Sequence, residues 1–144
     1  MSSYMRLLTL LAMLFIAATP VLAQTPNLKP GMWAYTNTTT IEGPVTIAPQ
    51  ITSNQECMKQ KDLNKGVGML NIPKQCSITK VDIFHDGTQF AASCNFSGIT
   101  AVYQGHAAFH GDHLEGKMTS ETDTPLGKMI MDMNFTAKRI GSCS

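Results

Sequence analysis

The sequence has little charge and almost no bias in its sign, with 11 Lys and Arg residues against 10 Asp and Glu residues in 144 positions. It also lacks a cluster of basic side chains. Nucleic-acid backbones and anionic membrane surfaces are bound through such clusters, which concentrate positive potential on one part of a surface. Nucleic acid is therefore not expected as a partner.

Motifs of nucleophilic catalysis and phosphate binding are lacking as well. There is no Gly-x-Ser-x-Gly elbow, and Gly66-Val67-Gly68 is too short for a phosphate loop and follows no predicted strand. Carboxylates such as Asp82 and Asp132 are expected on solvent-facing sides of strands, where nothing would separate their pKa values. The sequence favours a protein that is not an enzyme, and it predicts no catalytic residue and no cofactor.

Only the start of the chain contains an extended apolar run. Arg6 precedes an apolar stretch from Leu7 to Ala18, which is followed by Pro20 and ended by Val21-Leu22-Ala23. This is the pattern of a cleavable signal peptide, and a run of about a dozen residues is too short to span roughly 30 Å of hydrocarbon. Residues 1–23 are predicted to be removed before Gln24, leaving an exported chain without a membrane span.

Closely spaced cysteines are also missing. Zinc sites with four cysteine ligands usually contain pairs two to four residues apart, whereas the nearest neighbours here, Cys76 and Cys94, are 18 positions apart. Four cysteines in an exported chain predict two disulfides. Sequence alone allows three connectivities, of which Cys76 with Cys94 and Cys57 with Cys143 is favoured because the first pair flanks one predicted hairpin.

The remainder of the chain alternates polar and apolar residues between turn signals, which is typical of antiparallel strands. We expect one mainly β domain over residues 24–144, an antiparallel meander that forms a strongly curved sheet or a partial barrel. Pro49 places the second strand at an edge, Asp86-Gly87 predicts a type I′ turn, and a short helical segment is expected near residues 56–64. The predicted strands cover residues 32–41, 45–53, 78–84, 89–96, 99–110, 114–121 and 128–140.

Methionines concentrate on one face of the last two predicted strands. Such a face could bind a hydrophobic ligand or a partner protein, could hold Cu(I) through thioethers, or could simply be adaptable core packing. The candidate ligand-binding residues are Met118, Met129, Met131, Met133 and Phe135.

Three histidines, His106, His110 and His113, form the other group that could bind a metal. Residues four apart in a strand share a face but lie roughly 13 Å apart, which is too far for two nitrogens to bind one ion. Only His110 and His113, across a tight turn, could converge. Ordinary exposed histidines are the favoured interpretation, so no metal site is predicted.

The order of several short motifs resembles a known family. Pro30-Gly31-Met32-Trp33 opens the series, Gln55-Glu56-Cys57 and Asp62-Leu63 follow, and Arg139-Ile140-Gly141-Ser142-Cys143 closes it after the paired Cys76 and Cys94. Together they resemble a bacterial exported family catalogued as domain of unknown function 3617. The resemblance implies a small periplasmic protein with four cysteines and no established activity, and it supplies no catalytic residues. Ala34 stands where an acidic residue often follows the tryptophan.

From these patterns we expect a non-enzymatic periplasmic module that binds a hydrophobic ligand or an envelope protein. A periplasmic protein that handles copper or zinc through methionine or histidine side chains is the alternative.

Overall fold

The computed structural model describes residues 24–65 and 73–144. The predicted signal peptide and the glycine stretch after Lys65 lie outside the described residues. The described elements are the strands β1 (Gly31–Glu42), β2 (Ile47–Met58), β3 (Cys76–Phe84), β4 (Gly87–Phe96), β5 (Ile99–Phe109), β6 (His113–Thr124) and β7 (Gly127–Gly141), and the helix α1 (Gln60–Leu63).

All seven strands form one antiparallel sheet in the order β2-β1-β7-β6-β5-β4-β3. Strands β3 to β7 are a meander, and the β1–β2 hairpin joins it through pairing of β1 with β7. The sheet is open, with β2 and β3 as its edges. The expected mainly β architecture with one short helix is confirmed, including the edge position of the strand that contains Pro49. The pairing of β1 with β7 had no signal in the sequence.

The sheet has an apolar face and a polar face. Residues directly opposite one another in neighbouring strands point to the same side, and successive residues alternate. Tyr35, Ala137 and Leu114 are opposite one another across β1, β7 and β6 and belong to the core, which defines the inner face. Lys117 and Asp132 lie on the other side, the outer face.

The sheet curves strongly enough for its two edges to approach one another. Met58 at the end of β2 and Ile83 near the end of β3 line the same cavity on the inner face, although these two strands are the farthest apart in the order of the sheet. The inner face is therefore the concave one.

One end of this concave face is covered by the chain itself, and we call it the closed end. Trp33 is 0% exposed and Leu63 of α1 is 1% exposed. The Trp33 indole Nε1 donates a hydrogen bond to the Lys29 carbonyl at 3.0 Å, so its polar atom has a partner although the ring is buried. Leu28, Phe109, Leu114 and Ala137 complete this core cluster.

A segment before β1, residues 24–30, crosses the closed end, and we call it the N-terminal strap. The Asn27 N–H donates to the His85 carbonyl at 2.6 Å, and the Gly111 N–H donates to the Asn27 carbonyl at 2.8 Å. The His85 N–H in turn donates to the Gln24 side-chain oxygen at 3.0 Å. These bonds hold the strap to the turns after β3 and β5 and press Leu28 into the core.

The helix α1 is a single turn whose main contribution is to bring Leu63 onto the inner face. Its first turn is held by Asp62, which accepts a hydrogen bond from the Lys59 N–H at 3.2 Å and lies 2.8 Å from the Lys65 ammonium. The Lys65 ammonium also donates a hydrogen bond to Asp62. The hydrogen bond from Lys65 has the larger effect, and together the two hold the pKa of Asp62 below its usual value. The expected helical segment is confirmed, but β2 runs on to Met58 and the helix starts later than expected.

The expected type I′ turn at Asp86-Gly87 is wrong. Neither residue has a positive φ, and the loop consists of His85 and Asp86, because Gly87 already pairs with Phe84. Glycine is needed at position 87 for another reason, since a Cβ there would lie 2.6 Å from the Ala107 carbonyl oxygen. Positive φ at both residues of a two-residue loop occurs instead at Ser97 (54°) and Gly98 (87°), between β4 and β5.

Candidate functional site

An apolar cavity of about 210 Å³ lies on the inner face beside the closed end. Its walls come from the strap, from both edge strands and from the strands between them. The lining residues are Pro26, Leu28, Tyr35, Met58, Ile83, Thr88, Phe90, Ala107, Phe109, Leu114 and Phe135. A concave, mostly apolar site with few polar groups is the usual form of a small-molecule site, so this cavity is the candidate site.

Two hydroxyl groups supply the polar character of the lining. Thr88 Oγ1 donates a hydrogen bond to the Asp82 carbonyl at 2.9 Å. The Tyr35 phenol is partly buried, and burial together with the negative charge of Glu56 raises its pKa to about 12. Tyr35 therefore keeps its proton at physiological pH and can donate a hydrogen bond.

Two phenylalanine rings of the cavity lie over glycines in the neighbouring strands. Phe90 is opposite Gly105, and Phe135 is opposite Gly116. A Cβ at Gly105 would lie 2.5 Å from the Phe90 ring, and a Cβ at Gly116 would overlap the Phe135 ring. Because these glycines have no side chain, the two rings can lie flat against the sheet above them. Aromatic residues commonly cover glycines of a neighbouring strand in this way.

Of the five predicted ligand-binding residues, the structure places Phe135 in the cavity lining. Met118 and Met133 are opposite one another, Met131 is opposite Ser120, and Met129 is opposite Thr122. All four methionines therefore share the inner face with Phe135, but they lie farther along β6 and β7, outside the cavity lining. Their side chains are half-buried.

Most of the cavity residues were missed by sequence reasoning, which followed the methionine pattern. A signal was available, because glycine inside a strand often marks a close approach, and both Gly105 and Gly116 interrupt strands that were predicted correctly. The positions of Pro26 and Met58 in the cavity lining could not be predicted from strand glycines, because they depend on the curvature of the whole sheet.

The turn histidines do converge, but their geometry does not suit a shared metal ion. The His110 and His113 rings stack with centroids 4.6 Å apart and planes inclined by 15°, so their in-plane lone pairs lie in nearly parallel planes and do not converge from the two rings on a point between them. His113 Nδ1 lies 2.8 Å from Asp112, and this hydrogen bond holds the pKa of Asp112 below its usual value. Within the described ranges, no group of three or more His, Cys, Asp or Glu side chains is arranged for a metal.

The four cysteines form two disulfides in agreement with the expected connectivity. Cys57–Cys143 joins the end of β2 to the segment after β7, at the closed end. Cys76–Cys94 joins directly opposite residues of β3 and β4 at the other end of the sheet. The four sulfur atoms are thus unavailable as ligands or nucleophiles.

The outer face carries a wider and more open depression of a different character. It is lined by Lys80, Gln89, Gln104, His106 and Lys117, together with neighbouring backbone. Lys117 lies 3.4 Å from Asp132, which also accepts a hydrogen bond from Thr119 at 2.8 Å. The hydrogen bond from Thr119 and the charge of Lys117 lower the pKa of Asp132. This surface has the exposed, mutually paired charges of a solvated sheet face.

Comparison with protein families matches residues 28–143 to the model described as Protein of unknown function (DUF3617). The chain belongs to this DUF3617 family. Neither the curated proteins nor the solved structures contain a match. Across residues 24–65 and 73–144, no helix has the length and apolar character needed to cross a bilayer.

Apart from Cys76 and Cys94, the motifs by which the sequence resembles DUF3617 meet at the closed end. Trp33 is opposite Glu56 on one side and Arg139 on the other. Leu63 joins Trp33 in the core, and Arg139 Nε donates a hydrogen bond to the Pro30 carbonyl at 2.8 Å. Segments that are far apart in the sequence therefore build one structural unit, which forms the end wall next to the cavity.

Proposed function

We propose that this DUF3617 protein is an exported, non-enzymatic binding protein that holds a small hydrophobic ligand in the inner-face cavity. The observation that carries the proposal is the cavity itself, with its lining of predominantly hydrocarbon side chains. Its base is stabilised by a core cluster, a strap and a disulfide. Burial of apolar ligand surface contributes roughly 25 cal/mol per Å² before the entropic costs of binding, so such a lining favours an apolar ligand.

Export to the periplasm is part of this proposal. It is supported by the signal-peptide pattern of residues 1–23 and by two disulfides, which persist in oxidising compartments. Intact mass measurement of the protein purified from the periplasm tests it. The expected mass is that of a chain beginning at Gln24 with both disulfides formed, and a mass that includes residues 1–23 would contradict export by cleavage.

Ligand binding is tested with two neighbouring alanines that point to opposite faces. Ala107 lines the cavity, whereas Ala108 faces outward. The probe is toluene, a single apolar ring of a size that suits the cavity, and its binding is measured by isothermal titration calorimetry. Ala107→Leu fills part of the cavity and is expected to weaken probe binding at least tenfold, while Ala108→Leu leaves it within about twofold of the wild type. Equal binding by the two variants, or no binding by the wild type, would refute the proposed site.

A further inference from the structure

The polar groups of the cavity restrict the kind of ligand that it can take. Thr88 Oγ1 already donates to the Asp82 carbonyl, and none of the described hydrogen bonds uses the Tyr35 hydroxyl. Burial, with a contribution from Glu56, keeps that hydroxyl protonated far above neutral pH. A ligand in the cavity therefore meets one available donor in an otherwise apolar wall.

Charge complementarity disfavours an anionic ligand. Among the described lining residues there is no Lys, Arg or His, so a carboxylate in the cavity would be buried without a cationic partner, which is costly. Glu56 is opposite Trp33 and is therefore a diagonal neighbour of Tyr35 on the inner face. Its carboxylate adds a negative charge beside Tyr35. Arg139 lies beyond Trp33, where its Nε donates to the Pro30 carbonyl.

The cavity volume sets the size of the ligand. An apolar cavity of about 150 Å³ holds a benzene molecule, and the volume here is about 210 Å³. The space therefore suits one six-membered ring with a short substituent, or a short alkyl chain. It is too small for a two-chain lipid.

We propose that the ligand is an uncharged apolar molecule of this size that carries one acceptor oxygen, such as a ketone or ester, and that the Tyr35 hydroxyl donates a hydrogen bond to that oxygen. This inference rests on the proposed function, since it names the ligand class of the same cavity.

The test uses three molecules of nearly equal shape: ethylbenzene has no acceptor, acetophenone has a neutral acceptor, and benzoate is an anion. Isothermal titration calorimetry measures the binding of each molecule to the wild type, to Tyr35→Phe and to Tyr103→Phe. Tyr103 is also on the inner face but outside the cavity lining, so it is the matched control. Circular dichroism verifies that all three proteins are folded.

Tyr35→Phe is expected to weaken acetophenone binding about three- to tenfold, the worth of one hydrogen bond, and to leave ethylbenzene binding unchanged. Tyr103→Phe should change neither. Benzoate should bind more weakly than acetophenone to every protein. Binding of both neutral molecules that is insensitive to Tyr35→Phe would overturn the hydrogen-bonding inference but not the proposed function. Tighter binding of benzoate would overturn the uncharged class. Failure of all three molecules and of toluene to bind would refute the proposed function itself.

Discussion

The two ends of the inner face bury different kinds of side chain. At the closed end, the strap and α1 cover large groups such as Trp33 and Leu63 almost completely. At the opposite end, which we call the methionine end, Met129 and Met131 are only half-buried, and the buried side chains among the residues that the structure describes are small ones such as Ala101 and Ser120.

This difference indicates that the closed end is the more rigid part of the inner face. Large buried groups in fixed contact define a rigid wall, and the cavity lies against that wall. Methionines are flexible and tolerate different arrangements around them. The sequence concentrates methionine, a residue often found in adaptable binding surfaces, where the described side chains are only half-buried, and the apolar cavity lies elsewhere.

Removal of a disulfide at either end should give one of the largest losses of stability. Cys57–Cys143 closes a loop with a sequence separation of 86, and Cys76–Cys94 one of 18. On the chain-entropy model the first stabilises by about 4.5 kcal/mol and the second by about 3 kcal/mol. Urea unfolding of the two double Cys→Ser variants measures both. An equal or larger loss from the 76–94 pair would show that loop length does not decide how much each disulfide contributes.

Truncation of one large side chain at each end should give the next largest effect. Trp33→Ala leaves a cavity in a fully buried site and is expected to cost about 3 to 5 kcal/mol. Met131→Ala removes a half-buried side chain and should cost about 1 kcal/mol or less, because its neighbours and water can fill the space. Similar losses of unfolding free energy in the two variants would mean that the methionine end is packed as tightly as the closed end.

The strands could be predicted from the sequence because each carries its own evidence. Alternation identifies a strand, and the turn residues between neighbours identify a hairpin. Pairing of β1 with β7 has no comparable signal, because it joins residues about 100 positions apart. The type I′ turn at Asp86-Gly87 was wrong for a similar reason, since the strap bonds to His85 and the nearby backbone of β5 requires glycine at position 87.

Prediction of the site was less successful than prediction of the fold. The alternating pattern of β7 correctly placed Met131 and Phe135 on one face, but the pattern has no information on where along that face the sheet closes around a cavity. That depends on the strap, on α1 and on the approach of the two edges. All three are tertiary features that no local period encodes.

A single methyl group added at Gly116 tests the wall of the cavity and should have a smaller effect than removal of a disulfide or of the Trp33 side chain. Gly116→Ala places a Cβ against the Phe135 ring and 2.5 Å from the His106 carbonyl oxygen, so it is expected to destabilise the fold by about 1 to 3 kcal/mol. Gly141→Ala is the control, because a Cβ there would have no neighbour within 4 Å. Thermal unfolding compares them. Equal stability of the two variants would show that the Phe135 ring can move away from the sheet at little cost.

The smallest expected effect is a dependence of stability on alkaline pH that originates at Tyr35. Its pKa is raised to about 12 in the folded protein, whereas a tyrosine in the unfolded chain titrates near 10. Between these values the unfolded state has lost the proton and the folded state retains it, so the free energy of unfolding falls as pH rises. At pH 7 both states are protonated and the contribution vanishes. Urea unfolding at several pH values should therefore show a shallower decline in Tyr35→Phe than in the wild type or Tyr103→Phe. Parallel declines in all three proteins would place the phenol of Tyr35 in water rather than at the wall of an apolar cavity.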